Sequence, residues 1–338
     1  MVAKKRCLIT GVTGMVGSHL LDFVIKNTDW EVYGLCRWRS PLDNIQHHIA
    51  QINKGDRIRL MHADLRDALS MDHAVKETRP DYVFHLAAQS FPKTSFEAPL
   101  ETYDTNIQGT ERLLAALRKY CPEAVVHVCA SSEVFGRVPK EKLPINEECN
   151  FHPASPYAIS KVGTDLIGRY YAEAFNMTVM TTRMFTHTGP RRGDVFAEST
   201  FAKQIALIEQ ERIPPVVKVG NLDSLRTWAD VRDAVRAYYM MVTINPTSGA
   251  YYNIGGTHIC SVRDMLDVLL GFSTVKDIRV EMDPERLRPI DADLQVPDTT
   301  KFHNHTGWKP EIPFETTMLD LLNYWRERVR THGDFLTR

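Results

Sequence analysis

The amino-acid sequence predicts an α/β chain: a doubly wound parallel sheet with a smaller, discontinuous α/β part beside it. Three observations carry that expectation. Residues 6–20 read RCLITGVTGMVGSHL, a short apolar strand passing through three spaced glycines into a helix. From there to about residue 184, short apolar runs alternate with helical patterns long enough to cross back over a sheet. Beyond residue 185 the rhythm breaks into shorter, mixed segments. The 338 residues leave ample length for two parts with cores of their own.

The first strand is residues 7–10, followed by Gly11, Gly14 and Gly17. This spacing lets the backbone turn tightly, approach a pyrophosphate and pack the next helix on the sheet, with phosphates at the helix N-terminus. The reading is a Rossmann-type dinucleotide loop, with Met15 and Val16 also on the cofactor. The second strand, residues 30–36, ends in Arg37, Trp38, Arg39 and Ser40. A reader of a ribose 2'-hydroxyl would show Asp or Glu here. Arg37, with Arg39 and Ser40 beside it, suits a 2'-phosphate, so NADP is favoured over NAD. Residues 57–67 form the third strand, whose end sets Asp64 and Leu65 where an adenine would lie. The fourth, residues 80–91, reaches Leu86, Ala87 and Ala88, small enough at the two alanines for close approach of a cofactor.

A helix over residues 101–119 carries Asn106 and Gly109 along with an apolar face that packs. Residues 124–130 form the fifth strand, with Ser131, Ser132 and Glu133 just past its carboxyl end, the edge where open α/β sheets bind ligands. Helix 156–175 opens with Ser155 as N-cap and Pro156 in the first position. Tyr157 therefore falls in the first turn, with Lys161 one turn on along the same face. An ordinary tyrosine, with a pKa of about 10, is a poor base at neutral pH. The helix dipole and the Lys161 ammonium are expected to favour its phenolate.

Residues 178–184 are the sixth strand. Helices at 198–211 and 230–243 follow, then a strand at 250–254 that returns to the sheet and ends in Gly255 and Gly256. A helix at 261–271, a strand at 277–282 and a closing helix at 314–330 complete the chain. The expected division is residues 1–182 with 228–255 for the dinucleotide, and 183–227 with 256–338 for a substrate held in the cleft between.

Composition narrows the function. With 41 basic and 42 acidic residues the net charge is -1, which argues against general nucleic-acid binding. The six cysteines include no C-x-x-C pair and no ligand spacing, so no metal is expected, and apolar runs around Cys7, Cys36 and Cys129 suit a reducing cytoplasm. The basic start of the chain leads into a run broken by glycines, so it reads as strand and loop rather than a signal peptide. No stretch is apolar for the length a bilayer demands, so no membrane partner is expected.

Taken together, GVTGMVG, AAQS, SSEVFG, the YAISK helix and NIGG resemble the extended short-chain dehydrogenases/reductases that act on nucleotide sugars. Within that group RWRS, AQSFPKTSF, PRRG and GNLDSLRTW are similar to GDP-mannose 4,6-dehydratases. FAKQI, KVGNL, RLRP and TGWKPEIP resemble the related GDP-4-keto-6-deoxymannose reductases at least as well. The resemblance implies that Ser131 hydrogen-bonds the sugar 4-oxygen, Tyr157 takes the 4-hydroxyl proton, Lys161 holds the nicotinamide ribose and Glu133 works as base at C5. It further implies a GDP-sugar contacted by Ser90, Ser132, Thr186, Arg191 and Lys218, with Arg226 and Arg288 against the diphosphate, base or ribose. Phe185-Thr186-His187 departs from the family's Phe-Asn-His, and Ser131-Ser132-Glu133 from the Thr-Asp-Glu of many dehydratases.

The chemistry so implied is an internal redox reaction: oxidation at C4, loss of the C5 proton and of water from C6, then reduction at C6. An NADPH-dependent 4-keto reductase or a C4 epimerase would need Ser131, Tyr157 and Lys161 but no carboxylate at position 133. A non-catalytic NADP-sensing protein would need neither Tyr157 nor Lys161 in register. The resemblance also implies a homodimer, through helices 101–120 and 156–175, or a homotetramer reached through the RWRS loop.

Overall fold

The structure, a computed structural model, describes residues 4–287 and 294–332. In chain order the first half runs β1 (Arg6–Thr10), α1 (Met15–Asn27), β2 (Glu31–Cys36), α2 (Ile49–Lys54), β3 (Ile58–His62), α3 (Ala68–Thr78) and β4 (Tyr82–His85). It continues through α4 (Pro92–Glu97), α5 (Pro99–Tyr103), α6 (Gly109–Tyr120), β5 (Val125–Cys129), α7 (Pro156–Phe175) and β6 (Val179–Met184). The second half adds β7 (His187–Thr188), α8 (Ala197–Glu209), β8 (Val216–Val219), β9 (Leu225–Asp230), α9 (Val231–Thr243) and β10 (Tyr251–Ile254). It closes with β11 (His258–Ser261), α10 (Val262–Gly271), β12 (Arg279–Met282), β13 (Leu294–Gln295), α11 (Thr300–Thr306) and α12 (Phe314–His332).

Seven strands form one parallel sheet in the order β3-β2-β1-β4-β5-β6-β10. The expected doubly wound sheet is present, and the strand at 250–254 does return to its edge. Both faces are covered because successive strand residues point to opposite sides. Cys7 and Ile9 pack with α1 and α9 on one face, while Leu8 packs with α3, α6 and α7 on the other. A third cluster gathers α8, α10 and α12 around Val217, Val219 and Trp228. Beside it stand a small sheet, β11-β9-β13 with β7 on β9, and the parallel pair β12-β8. Among the described residues no helix is long and apolar enough to cross a membrane.

Two elements differ from expectation in ways that shape the site. The fourth strand stops at His85, because the amides of Leu86 and Ala87 turn to the Thr10 hydroxyl at 3.0 Å each instead of continuing the ladder. The helix expected over residues 101–119 is three pieces, α5, a wider π-type turn over Asp104–Gln108, and α6. At that turn the Asn106 carbonyl accepts from the Thr110 and Thr164 hydroxyls at 2.6 and 3.0 Å. Its side-chain amide donates to Ser160 Oγ at 2.8 Å, one turn from Tyr157 on α7.

Candidate active site

The amino end of α7 is built to hold Tyr157 still. Ser155 caps it by accepting the Ala158 amide at 3.0 Å, and Pro156 brings no amide to satisfy. The Tyr157 amide is taken by Ser95 Oγ at 3.0 Å, and Ser95 in turn donates to Pro92 O at 2.6 Å. Tyr157 is buried, and its phenol lies near enough to Ser131 for that hydroxyl to favour the phenolate.

Ser131 stands past the carboxyl end of β5, extended at φ -156°, and its Oγ accepts the Glu133 amide at 3.2 Å to start a short 3-10 turn. That turn brings the Glu133 carboxylate round, with Oε1 3.9 Å from Arg226 Nη1 of β9, and close enough to Tyr157 for its charge to act on the phenol. Ser132 is buried beside it. Lys161 reaches Cys129 O at 2.8 Å, and its Nζ lies 6.0 Å from the Tyr157 ring centre. Tyr157, Ser131, Glu133, Lys161 and Arg226 are therefore brought together from three segments.

The expected electrostatics needs one correction. Burial pushes the Tyr157 phenol up rather than down; the Ser131 hydroxyl and the Arg192 charge only partly oppose it, and the Glu133 charge adds to the rise. Burial likewise lowers the Lys161 ammonium. In the chain alone desolvation outweighs the help expected from the helix end and the lysine.

The glycine loop packs as its spacing requires. Gly11 has φ +71°, and a Cβ there would lie 2.9 Å from Ala87 Cα, so the loop after β1 touches the chain leaving β4. A Cβ on Gly17 would stand 2.3 Å from Gly11 O. At Gly14 it would meet only Gly11 O, at 3.3 Å, and no side chain caps the helix there. Met15 is buried and Val16 partly so; Ala87, Ala88 and Leu86 are half-buried at the strand end.

Arg37 and Arg39 are exposed past β2, in a turn closed by Ser40 N donating to Arg37 O at 3.0 Å and Arg37 N donating to Ser40 Oγ at 3.2 Å. Asp64 is gripped by Arg66 at 2.9 to 3.3 Å. Burial alone would raise its carboxyl, but the Arg66 hydrogen bonds and charge hold it below the ordinary range. Leu65 is buried against Gly109.

The remaining substrate candidates separate. Ser90 and Lys218 are exposed, Thr186 is half-buried, and Arg288 lies outside the described residues. Arg191, expected on the substrate, is instead salt-bridged to Asp22 of α1 at 2.7 Å. The turn decides this: Gly189 has φ +150° and Arg191 φ +69°, a left-handed pair that sends consecutive arginines opposite ways. Arg192 is the one whose charge acts on Tyr157 and His187. Its Nε donates to Glu198 at 3.1 Å and its guanidinium lies 3.3 Å over the Phe196 ring. The sequence assigned no role to Arg192, His187 or Ser95; the arginine doublet was the one available signal, and it could not say which arginine turns inward.

Comparison with known proteins bears on this arrangement. The family model described as GDP-mannose 4,6 dehydratase matches residues 8–321. A GDP-mannose 4,6 dehydratase of Drosophila melanogaster is 32% identical, covering 96% of this chain and 87% of its own. A GDP-6-deoxy-D-mannose reductase of Pseudomonas aeruginosa is 29% identical, covering 96% of this chain and 99% of its own. Among solved structures, RMD from Pseudomonas aeruginosa complexed with NADPH matches with a TM-score of 0.81 at 27% identity, over 96% of this chain and 100% of that one.

Proposed function

The chain belongs to the GDP-mannose 4,6-dehydratase family, and we propose that it dehydrates a GDP-mannose-type sugar to its 4-keto-6-deoxy product by internal redox chemistry with bound NADP. The observation that carries the reading is the Glu133 carboxylate standing with Tyr157 and Ser131 in one site. Reduction or epimerisation at C4 has no use for a base at C5.

The residues present fit NADP. The lack of a side chain at Gly14, where a Cβ would crowd Gly11 O at 3.3 Å, and the uncapped start of α1 leave backbone amides for a pyrophosphate. Arg37, Arg39 and Ser40 suit a 2'-phosphate, and Asp64 with Leu65 would flank the base. The RMD structure that resembles this chain holds NADPH. When bound, NADP supplies the acceptor and the donor for the internal redox exchange and ends unchanged.

The chain's own groups do the proton work. Tyr157 Oη takes the proton of the sugar 4-hydroxyl while Ser131 Oγ holds that oxygen, and Lys161 orients the dinucleotide ribose. Once C4 is a ketone, the adjacent C5 proton is acidic and the Glu133 carboxylate takes it. The same Glu133 then protonates the departing 6-hydroxyl, which leaves as water. Arg226 and Arg192 supply cations for an anionic substrate.

Incubating the purified protein with GDP-mannose and no added reductant tests the reading. A product one water lighter, with the alkaline absorbance of a 4-keto sugar, is expected; strict dependence on NADPH and a keto substrate would assign the chain to the reductases instead.

A second copy of the chain is the expected partner. Ile159, Leu166 and Tyr170 leave 44 to 53% of their surface exposed at helical spacing along α7. That stripe suits a homodimer, and the exposed Trp38 in the Arg37–Ser40 turn offers a further contact for a tetramer. Six free cysteines suit a reducing cytoplasm.

A further inference from the structure

His47 and His48 end a short 3-10 turn, Asp43–His48, that follows the Arg37–Ser40 loop. Successive residues in such a turn stand about 120° apart. Yet both imidazoles swing onto Asp22 of α1, each Nε2 lying 2.7 Å from the same Oδ1, with the ring centres 4.2 Å apart. The other carboxylate oxygen is held by Arg191 Nη1 at 2.7 Å. Burial alone would raise the Asp22 carboxyl. The hydrogen bonds from His48 and His47 and the Arg191 charge outweigh it and hold the group well below the ordinary carboxylate range. An ionised carboxylate thus faces two imidazoles.

We propose that Asp22, His47 and His48 form a binding site for one divalent transition ion of the zinc class, a site the dehydratase chemistry does not use. The three donor atoms lie within 4.8 Å of one another. Two imidazole nitrogens and one carboxylate oxygen suit a borderline ion, whereas Mg2+ and Ca2+ prefer all-oxygen ligands. Donors about 2.0–2.2 Å from a tetrahedral Zn2+ sit farther apart than two hydrogen-bonded atoms do, so the cluster must open by roughly half an ångström.

To take an ion, each imidazole gives up its Nε2 contact with Asp22 Oδ1 and presents the Nε2 lone pair instead. Arg191 stays on Oδ2 as an outer partner, and its charge keeps the affinity below that of an all-anionic site. The His47 side chain is 46% exposed, which leaves water to fill the remaining positions. A bound ion would brace the segment after the Arg37–Ser40 loop against α1 and the Arg191 turn.

Calorimetric titration of the full, tag-free chain with Zn2+ tests the site, with Co2+ as an optical probe. One saturable Zn2+ site and visible Co2+ absorption are expected. His47→Gln and Asp22→Asn should each weaken Zn2+ at least about tenfold; the former changes a half-exposed side chain, so its fold is not at risk. Absence of a saturable site in the wild type overturns the proposal. So does a site that survives either substitution unchanged, which would assign the ion to thiols such as Cys36, 3.7 Å from His62.

Discussion

At position 157 two opposing influences meet on one phenol. Burial drives its proton affinity up, while the Ser131 hydroxyl and the Arg192 charge pull it back. Replacing Arg192 by Gln removes one of the opposing forces, so the phenol rises further. The acidic limb of the kcat profile should then move to higher pH, and a shift the other way would remove Arg192 from the account. Tyr157→Phe keeps the amide bonded to Ser95 and loses only the proton acceptor. Turnover should fall by about 10²–10⁴ with dinucleotide binding retained. Loss of both together, read by fluorescence titration with NADPH, would make Tyr157 structural. Glu133→Gln should still oxidise at C4 but release no water, which a single-turnover assay with mass detection resolves.

Among the elements, the junction of β1 and α1 is the least forgiving. A methyl at Gly17 would sit 2.3 Å from Gly11 O and 2.8 Å from Val12 Cα, both backbone, so the helix itself must move. Gly17→Ala should cost about 1–3 kcal/mol in urea unfolding and NADP affinity with it. Gly14→Ala meets only one oxygen at 3.3 Å, so its methyl should obstruct the pyrophosphate while leaving stability within about 1 kcal/mol. Equal unfolding losses in the two variants would contradict this reading of the loop. Across the sheet, α7 is fixed to β6 by Asp165 and Arg183, a fully buried pair at 2.8 Å, with Arg183 also donating to Glu147 O at 2.7 Å. Breaking such a pair leaves an unpaired buried charge, so this contact keeps Tyr157 in register with the end of β5.

For the molecule as a whole, stability should depend on pH through its buried imidazoles. Burial, aided by the Lys161 charge, lowers His85 and His127 from 6.5 to about 3. Between those values the unfolded chain takes up protons that the folded chain refuses. Their contribution is therefore intact above pH about 6.5 and is lost as pH falls below it, by about 1 kcal/mol for each imidazole at pH 5.5. Urea midpoints at pH 7.5 and 5.5 measure this, and an unchanged midpoint would contradict it. Assembly is also testable at this scale: Leu166→Glu with Tyr170→Glu on the α7 stripe should convert a dimer to monomers in light scattering.

What the sequence determined by itself was whatever local pattern dictates. The strand–glycine–helix start, the alternation behind the parallel sheet, the capped helix with Tyr157 and Lys161, and Ser131 and Glu133 at a strand end all follow from short-range spacing. The tertiary structure decided what depends on a single backbone torsion or on distant neighbours. Left-handed φ at Arg191 gave that arginine to Asp22 and left the Arg192 charge to act on Tyr157. Desolvation, a property of everything packed around a group and of nothing in its own segment, set the direction in which Tyr157 titrates.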